Sequence, residues 1–366
     1  MKLTVSKNQI LEELQLLQGI VEKRNTMPIL ANILMDVRAG RVELTGTDLE
    51  VGLRTSCEAR VEEEGAVTVS GKKIFEIVKS LPEQCEITIR ENDDLMMEIL
   101  AAKSRFKVLC LPKEDYPQVP EPKFSAKIVL PMDKFREMID RVYYAIAQEQ
   151  RYYLNGALMI LKNNSMELVS TDGHRLSYTS SDLEGFNLEK ETRVIVAKKT
   201  LGELRKISAA QLEFDADDNN LFFKAETRTL ISRIIESKFP NFEAVIPKEN
   251  PHVICLDRQE FTDAIRRVSL LSAERSRGIK FTVKKKQVDL FSSNPEMGEA
   301  SDRLEVDYKG PDLEIGFNSQ YLLDFLTTVN TERVSFELKD ENSAALLKPE
   351  TEEGMKYSYV LMPMKI

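Results

Sequence analysis

The sequence predicts an α+β protein built from three tandem copies of one domain, each with two helices and roughly eight strands. Three observations predict it. Residues 29–55, 153–180 and 277–304 repeat one pattern: strand, polar turn, strand, small polar corner, strand. Each third of the chain holds two amphipathic helical patterns at matching places, and two proline-rich segments separate the thirds. A repeat of about 120 residues is too long for a solenoid unit and suits a whole domain.

The corners of the repeat are Thr47-Asp48, Thr171-Asp172 and Ser293-Asn294, 124 and 122 residues apart. The first helical pattern carries Ile10, Leu11, Leu14, Leu17 and Val21 in copy one. Copy two has Phe135, Met138, Ile139, Val142 and Ile146, and copy three has Phe261, Ala264, Ile265 and Val268. Spacings of three and four place each set on one stripe of a helix. The second pattern falls at 71–81, 197–207 and 319–329, and strands such as 228–235 alternate with period two. The proline-rich segments 112–124 and 240–252 break helices and favour extended chain, as linkers do. The predicted domains are therefore 1–120, 121–248 and 249–366.

With 42% hydrophobic and 30% charged residues, the composition is that of an ordinary soluble globular protein. No run of 18 apolar residues is present, so no helical membrane span is expected. Acids interrupt the N-terminal stretch where a signal peptide needs an apolar run. Cys57, Cys85, Cys110 and Cys255 lie far apart with no CxxC pair, which suits reduced thiols and a cytoplasmic location. The net charge of −9 argues against nucleic acid unless it is unevenly spread. It is uneven: helical segments 7–24, 70–81, 131–148, 196–207, 257–268 and 318–329 together carry +4, and the rest −13. Lys72, Lys73, Lys79, Lys198, Lys199, Arg205 and Lys206 form the clearest basic group, although a solvated helix face would read the same way.

Catalytic motifs are weak. The stretch 65–73 resembles a phosphate loop but has one residue too many between its glycines, and its middle is a strand. Asp172 and His174 place an acid near a potential base, but a triad needs acid, base and nucleophile placed by geometry, which this short motif does not supply. The histidine occurs in one copy of the corner only, where the others have Glu50 and Glu296, and this points to binding. His174 and His252 are the only histidines, with no ligand spacing for a metal, so neither metal nor cofactor is expected. Tyr152 and Tyr153 are aromatics among polar residues, suited equally to stacking on bases or to a domain edge. The apolar run 360–366 suits either a strand tucked into a sheet or a surface offered to a partner.

Several stretches together resemble the bacterial replicative sliding clamps, the beta subunits of DNA polymerase III. They are Met27-Pro28-Ile29-Leu30-Ala31-Asn32, Leu44-Thr45-Gly46-Thr47-Asp48-Leu49-Glu50, Arg151-Tyr152-Tyr153-Leu154-Asn155-Gly156 and Thr171-Asp172-Gly173-His174-Arg175-Leu176. To these add Phe239-Pro240, Asn294-Pro295-Glu296 and Met362-Pro363-Met364. The resemblance covers the whole chain in register. It implies a non-catalytic processivity factor: a head-to-tail homodimeric ring round double-stranded DNA, with helices on the inner face and sheets outside.

It also implies roles for single residues. Arg24, Gln148, Tyr152, Tyr153, Lys198 and Lys199 would face DNA without reading bases. A pocket for short peptides would comprise Leu154, Thr171, Gly173, His174, Arg175, Leu176, Pro240, Val245, Asn318, Tyr321, Ser343, Val360, Met362, Pro363 and Met364. Its users would be the DNA polymerase III alpha subunit, the clamp loader, other DNA polymerases and repair proteins. Ala244 and Lys365 depart from the arginines common in the family, which leaves the pocket rim open. The dimer seam would pack Phe106 and Val108 on Leu270 and Leu271, with Lys103 and Arg105 near acids such as Glu299. Two other readings remain at this stage: a linear nucleic-acid-binding array, and a hydrolase using Asp172 and His174.

Overall fold

The computed structural model describes residues 1–21, 27–92, 95–124, 128–148, 152–183, 188, 191–351 and 354–365, with the side chain of Tyr152 outside that description. Among the described residues there are six helices: α1 (Lys7–Leu17), α2 (Gly71–Ser80), α3 (Met132–Tyr143), α4 (Lys198–Leu204), α5 (Arg258–Ser269) and α6 (Ser319–Thr328). Each helix starts directly where a strand ends, so a polar residue closing the strand can serve as its cap. Ser70 accepts from Lys73 N, Asp257 from Glu260 N, and Asn318 from Gln320 N and Tyr321 N. Such caps satisfy amide groups that have no partner inside the helix.

The chain divides into two compact units, residues 1–135 with 199–234 and residues 136–198 with 235–366. In the first unit thirteen strands form one hydrogen-bonded series. The first repeat is the antiparallel set Asn32–Arg38, Arg41–Thr47 and Val51–Glu58, and the last of these also pairs with Arg228–Arg233. The strand Ser104–Pro112 changes partner along its length. Residues 110–112 pair with Gly65–Ser70, whereas 104–109 pair with Met96–Ala101. The far edge of 104–109 carries no strand among the described residues.

The second unit contains an eight-stranded sheet and a four-stranded one. The second repeat, Gly156–Lys162, Ser165–Thr171 and Arg175–Asp182, lies in the larger sheet and is extended by Met355–Leu361. The third repeat, Gly278–Lys284, Gln287–Asn294 and Gly298–Glu305, belongs to the smaller sheet, with Gly298–Glu305 at its edge. In all three repeats the polar turn holds a residue of positive φ: Ala39 (48°), Asn164 (57°) and Lys286 (65°). Phe261, Phe281, Phe317 and Phe336 interlock under α5 with ring centroids 5.5–6.1 Å apart. Each such ring contributes about 1.5–3 kcal/mol through burial.

The helices are shorter than the periodicity predicts. α1 stops at Leu17, although Ile20 and Val21 remain in the core through tight turns. α4 spans seven residues, and Lys206 and Ile207 follow it with i→i−3 bonds. The proline-rich segments do more than link. Tyr116 is buried and its hydroxyl donates to the Asn32 and Thr45 carbonyls, while Phe242 is buried against Tyr178 at 5.9 Å. Composition reads those stretches as solvated chain, but each is anchored by one aromatic residue in the core.

Candidate functional site

The corner of the second repeat is built by the carboxylate of Asp172. Its Oδ1 accepts from His174 N (3.0 Å) and Arg175 N (3.1 Å), and its Oδ2 from Arg175 Nε (3.0 Å). Thr171 Oγ1 accepts from Gly173 N and donates to the Arg175 carbonyl at 2.6 Å. The His174 carbonyl accepts from Met362 N at 2.9 Å, tying the C-terminal strand to the corner. Asp172 is thus consumed as a turn-former, and His174 is exposed. The hydrolase reading has no support in this arrangement.

Beside the corner lies a cleft of about 290 Å³, apolar in most of its lining. Nine residues of the expected pocket line it: Leu154, Thr171, Gly173, Arg175, Leu176, Pro240, Val245, Val360 and Met362. Leu176, Val360 and Leu154 are buried, whereas Val245 and Met362 stay about 44% exposed, so the cleft has a fixed floor and an adaptable lip. Tyr153 and Phe242 also line it, beyond the pocket that the resemblance implies. Other expected pocket residues stand beside the cleft. Pro363 and Met364 line a neighbouring cavity of about 490 Å³ with Lys280 and Gly316, where Met364 N donates to the Gly316 carbonyl. Asn318 caps α6, the Ser343 hydroxyl donates to Asp340, and Tyr321 stacks under the Arg175 guanidinium at 4.2 Å.

The expected DNA-facing residues are held in different ways. Arg24 and the Tyr152 side chain lie outside the described residues, and Gln148 is exposed. Lys198 Nζ donates to the Ile146 carbonyl at 3.0 Å and lies 5.4 Å from the Tyr143 ring. Burial pushes its pKa down, the Arg175 charge adds to that, and Asp172 opposes it. Lys199 Nζ bonds the Ile20 carbonyl and pairs with Asp48, whose side chain is only 6% exposed. By contrast, Lys72, Lys73, Lys79, Arg205 and Lys206 are exposed. No group of three metal-ligating side chains occurs among the described residues, and no described helix is long and apolar enough to cross a membrane.

At the expected seam, Leu270 is 75% exposed, and Phe106, Val108 and Leu271 are half-buried. Leu109, outside the seam that the resemblance implies, is 67% exposed on the open edge of Ser104–Pro112.

Family models cover the chain in order. The DNA polymerase III beta subunit N-terminal domain matches residues 1–120, the central domain 129–241 and the C-terminal domain 243–365. The chain belongs to the DNA polymerase III beta subunit family. Relatives in this family include the beta sliding clamps of Pseudomonas putida (38% identical over 374 residues) and Escherichia coli K12 (31% over 370), each matched over the full length of both chains. The crystal structure of the Pseudomonas aeruginosa beta subunit superposes with a TM-score of 0.94 at 35% identity, over all of both chains. Another crystal structure of that clamp, bound to griselimycin, also gives a TM-score of 0.94. Beta sliding clamps are non-catalytic processivity subunits, which places this chain among proteins without chemistry of their own.

Proposed function

We propose that this chain closes as a head-to-tail homodimer round double-stranded DNA and tethers the replicative polymerase to it. The support that carries this reading is the ordered match of three clamp domains along the whole chain. Its domains are 1–120, 121–248 and 249–366, with helices toward the DNA and sheets outward, and it works in the cytoplasm. Exposed lysines and arginines hold phosphates without reading bases, so the ring is retained topologically and slides. Tethering raises the polymerase's effective concentration at the primer end.

Gln148, Lys198 and Lys199, with Arg24, Tyr152 and Tyr153, contribute to the DNA-facing surface, and the exposed Lys72, Lys73 and Lys79 add to it, the first two beside Glu76. The cleft beside Asp172 receives short peptides from the polymerase III alpha subunit, the clamp loader, other DNA polymerases and repair proteins. Its apolar floor and partly exposed Met362 lip suit such a ligand. Griselimycin, found on the Pseudomonas aeruginosa clamp, is a ready probe of this cleft.

The test is topological. The chain is loaded by a clamp loader with ATP onto nicked circular DNA, and retention is compared before and after the circle is cut. Retention on the circle and rapid loss after linearisation are expected. Equal retention on both forms would favour a linear binding array.

A further inference from the structure

We infer that Asp324 of α6 is a positioning residue of the peptide cleft, holding Arg175 inside the fold so that Arg175 shapes the cleft wall without gripping the ligand. This rests on the cleft being the partner site. The Arg175 side chain is only 9% exposed, and its N–H groups are committed in three directions. Nε donates to Asp172 (3.0 Å), Nη1 to Asp324 Oδ2 (2.6 Å) and Nη2 to the Tyr144 carbonyl (2.6 Å). Its faces are covered by the rings of Tyr144 at 5.3 Å and Tyr321 at 4.2 Å. A guanidinium binds an incoming carboxylate through a free two-pronged fork. Here each of the three nitrogens already donates within the fold.

Asp324 is itself fixed, since its Oδ1 accepts from Gln320 Nε2 at 2.8 Å. A continuous chain of contacts therefore runs from α6 to the cleft: Asp324 to Arg175, Arg175 to Asp172, Asp172 to His174 N, and the His174 carbonyl to Met362 N. The first repeat gives independent support. There the corner carboxylate of Asp48, the counterpart of Asp172, is likewise joined by a cation, Lys199 from α4, to a carbonyl just past the end of the first helix, that of Ile20. A cation between corner acid and helix-end carbonyl thus belongs to the corner in both copies. Among the described residues only the second corner adds a further acid, Asp324.

The test measures binding of fluorescent griselimycin to the full chain and to Asp324→Asn, Arg175→Lys and the double variant, with thermal midpoints alongside. Loss of a charged hydrogen bond predicts about tenfold weaker binding for either single change. Because the two residues act as one unit, the double variant is expected to be no weaker than the worse single. Wild-type affinity in Asp324→Asn, whether or not its thermal midpoint falls, would overturn the proposal. So would losses that multiply in the double variant, since they would mean that Arg175 meets the ligand independently. If Asp324→Asn does not fold, Asp324→Ser takes its place: a tenfold loss that Arg175→Lys does not deepen supports the proposal, and wild-type affinity overturns it. Failure of the wild type to bind griselimycin would instead reject the cleft as the site.

Discussion

Lys199 and Glu98 show how far a charged residue's role depends on what surrounds it. Read from the sequence, Lys199 is one of a basic group, but its ammonium neutralises the nearly buried Asp48. Lys199→Ala leaves that carboxylate without its cation and is expected to cost about 2 kcal/mol, less than for a fully buried pair because Lys199 is partly exposed. Urea unfolding measures this. Lys72→Ala, at a side chain 66% exposed, is expected to leave stability within about 0.5 kcal/mol and to reduce the salt slope of DNA binding by about 1. A larger change of salt slope for Lys199→Ala than for Lys72→Ala, with stability unchanged, would make DNA contact and not Asp48 the main role of Lys199. The covered carboxylate of Glu98 accepts from both Arg90 and Arg105. Burial works to raise its pKa, but the two guanidiniums outweigh it and hold it below the usual 4.5. A depressed carboxylate stabilises the fold above its unfolded pKa, and the benefit is lost as pH falls through the lower folded value. Glu98→Gln should therefore lower the thermal midpoint at pH 7, with the gap to wild type closing below about pH 4.5.

The most legible element was the three-strand repeat, and the reason is local. Period-two alternation and a small polar corner are written in consecutive residues, so the repeats read at 29–55 and 153–180 fall within a few residues of the strands at 32–58 and 156–182. The corner copies itself bond for bond: Asp48 Oδ1 accepts from Glu50 N and Val51 N as Asp172 does from His174 N and Arg175 N. The Glu50 carbonyl likewise accepts from Arg233 N as that of His174 does from Met362 N. The apolar floor of the cleft followed from the resemblance, whereas its side walls did not. Tyr153 sits in polar chain and Phe242 in proline-rich chain, whose compositions point outward, and an arginine is by default a surface residue. Nothing near Arg175 in sequence announces Asp324, 149 residues away. The duplication makes a paired prediction. Asp48→Ala and Asp172→Ala should each destabilise by about 1–2 kcal/mol, as loss of a capping carboxylate does. Only Asp172→Ala should also lose griselimycin, by fluorescence titration. Equal loss in both would mean that the cleft is not specific to the second corner.

Ring closure depends on surfaces that no single chain can satisfy. The stretch 104–109 has an open hydrogen-bonding edge in the first unit, and Gly298–Glu305 has one in the second. An open strand edge invites a partner strand, and proteins that remain monomeric blunt such edges. Here the edges are matched in charge. Lys103 precedes the first and Lys107 lies on it, Glu299 and Glu305 lie on the second, and none has an ion-pair partner among the described residues. Leu109 and Leu270, 67% and 75% exposed, add apolar surface that association would bury. These features suit heterologous pairing of one edge with the other, which closes into a ring when the rotation permits. Truncating two apolar side chains at a seam of this kind removes about 2–4 kcal/mol of association energy at each of its two copies. The variant Leu270→Ala with Leu271→Ala is therefore expected to sediment as a monomer at sub-micromolar concentration, where the wild type remains a dimer. It should also escape from nicked circles as fast as from linear DNA, while still binding griselimycin, because the cleft lies within one chain. A double variant that stays dimeric and retained would place the closing contact elsewhere.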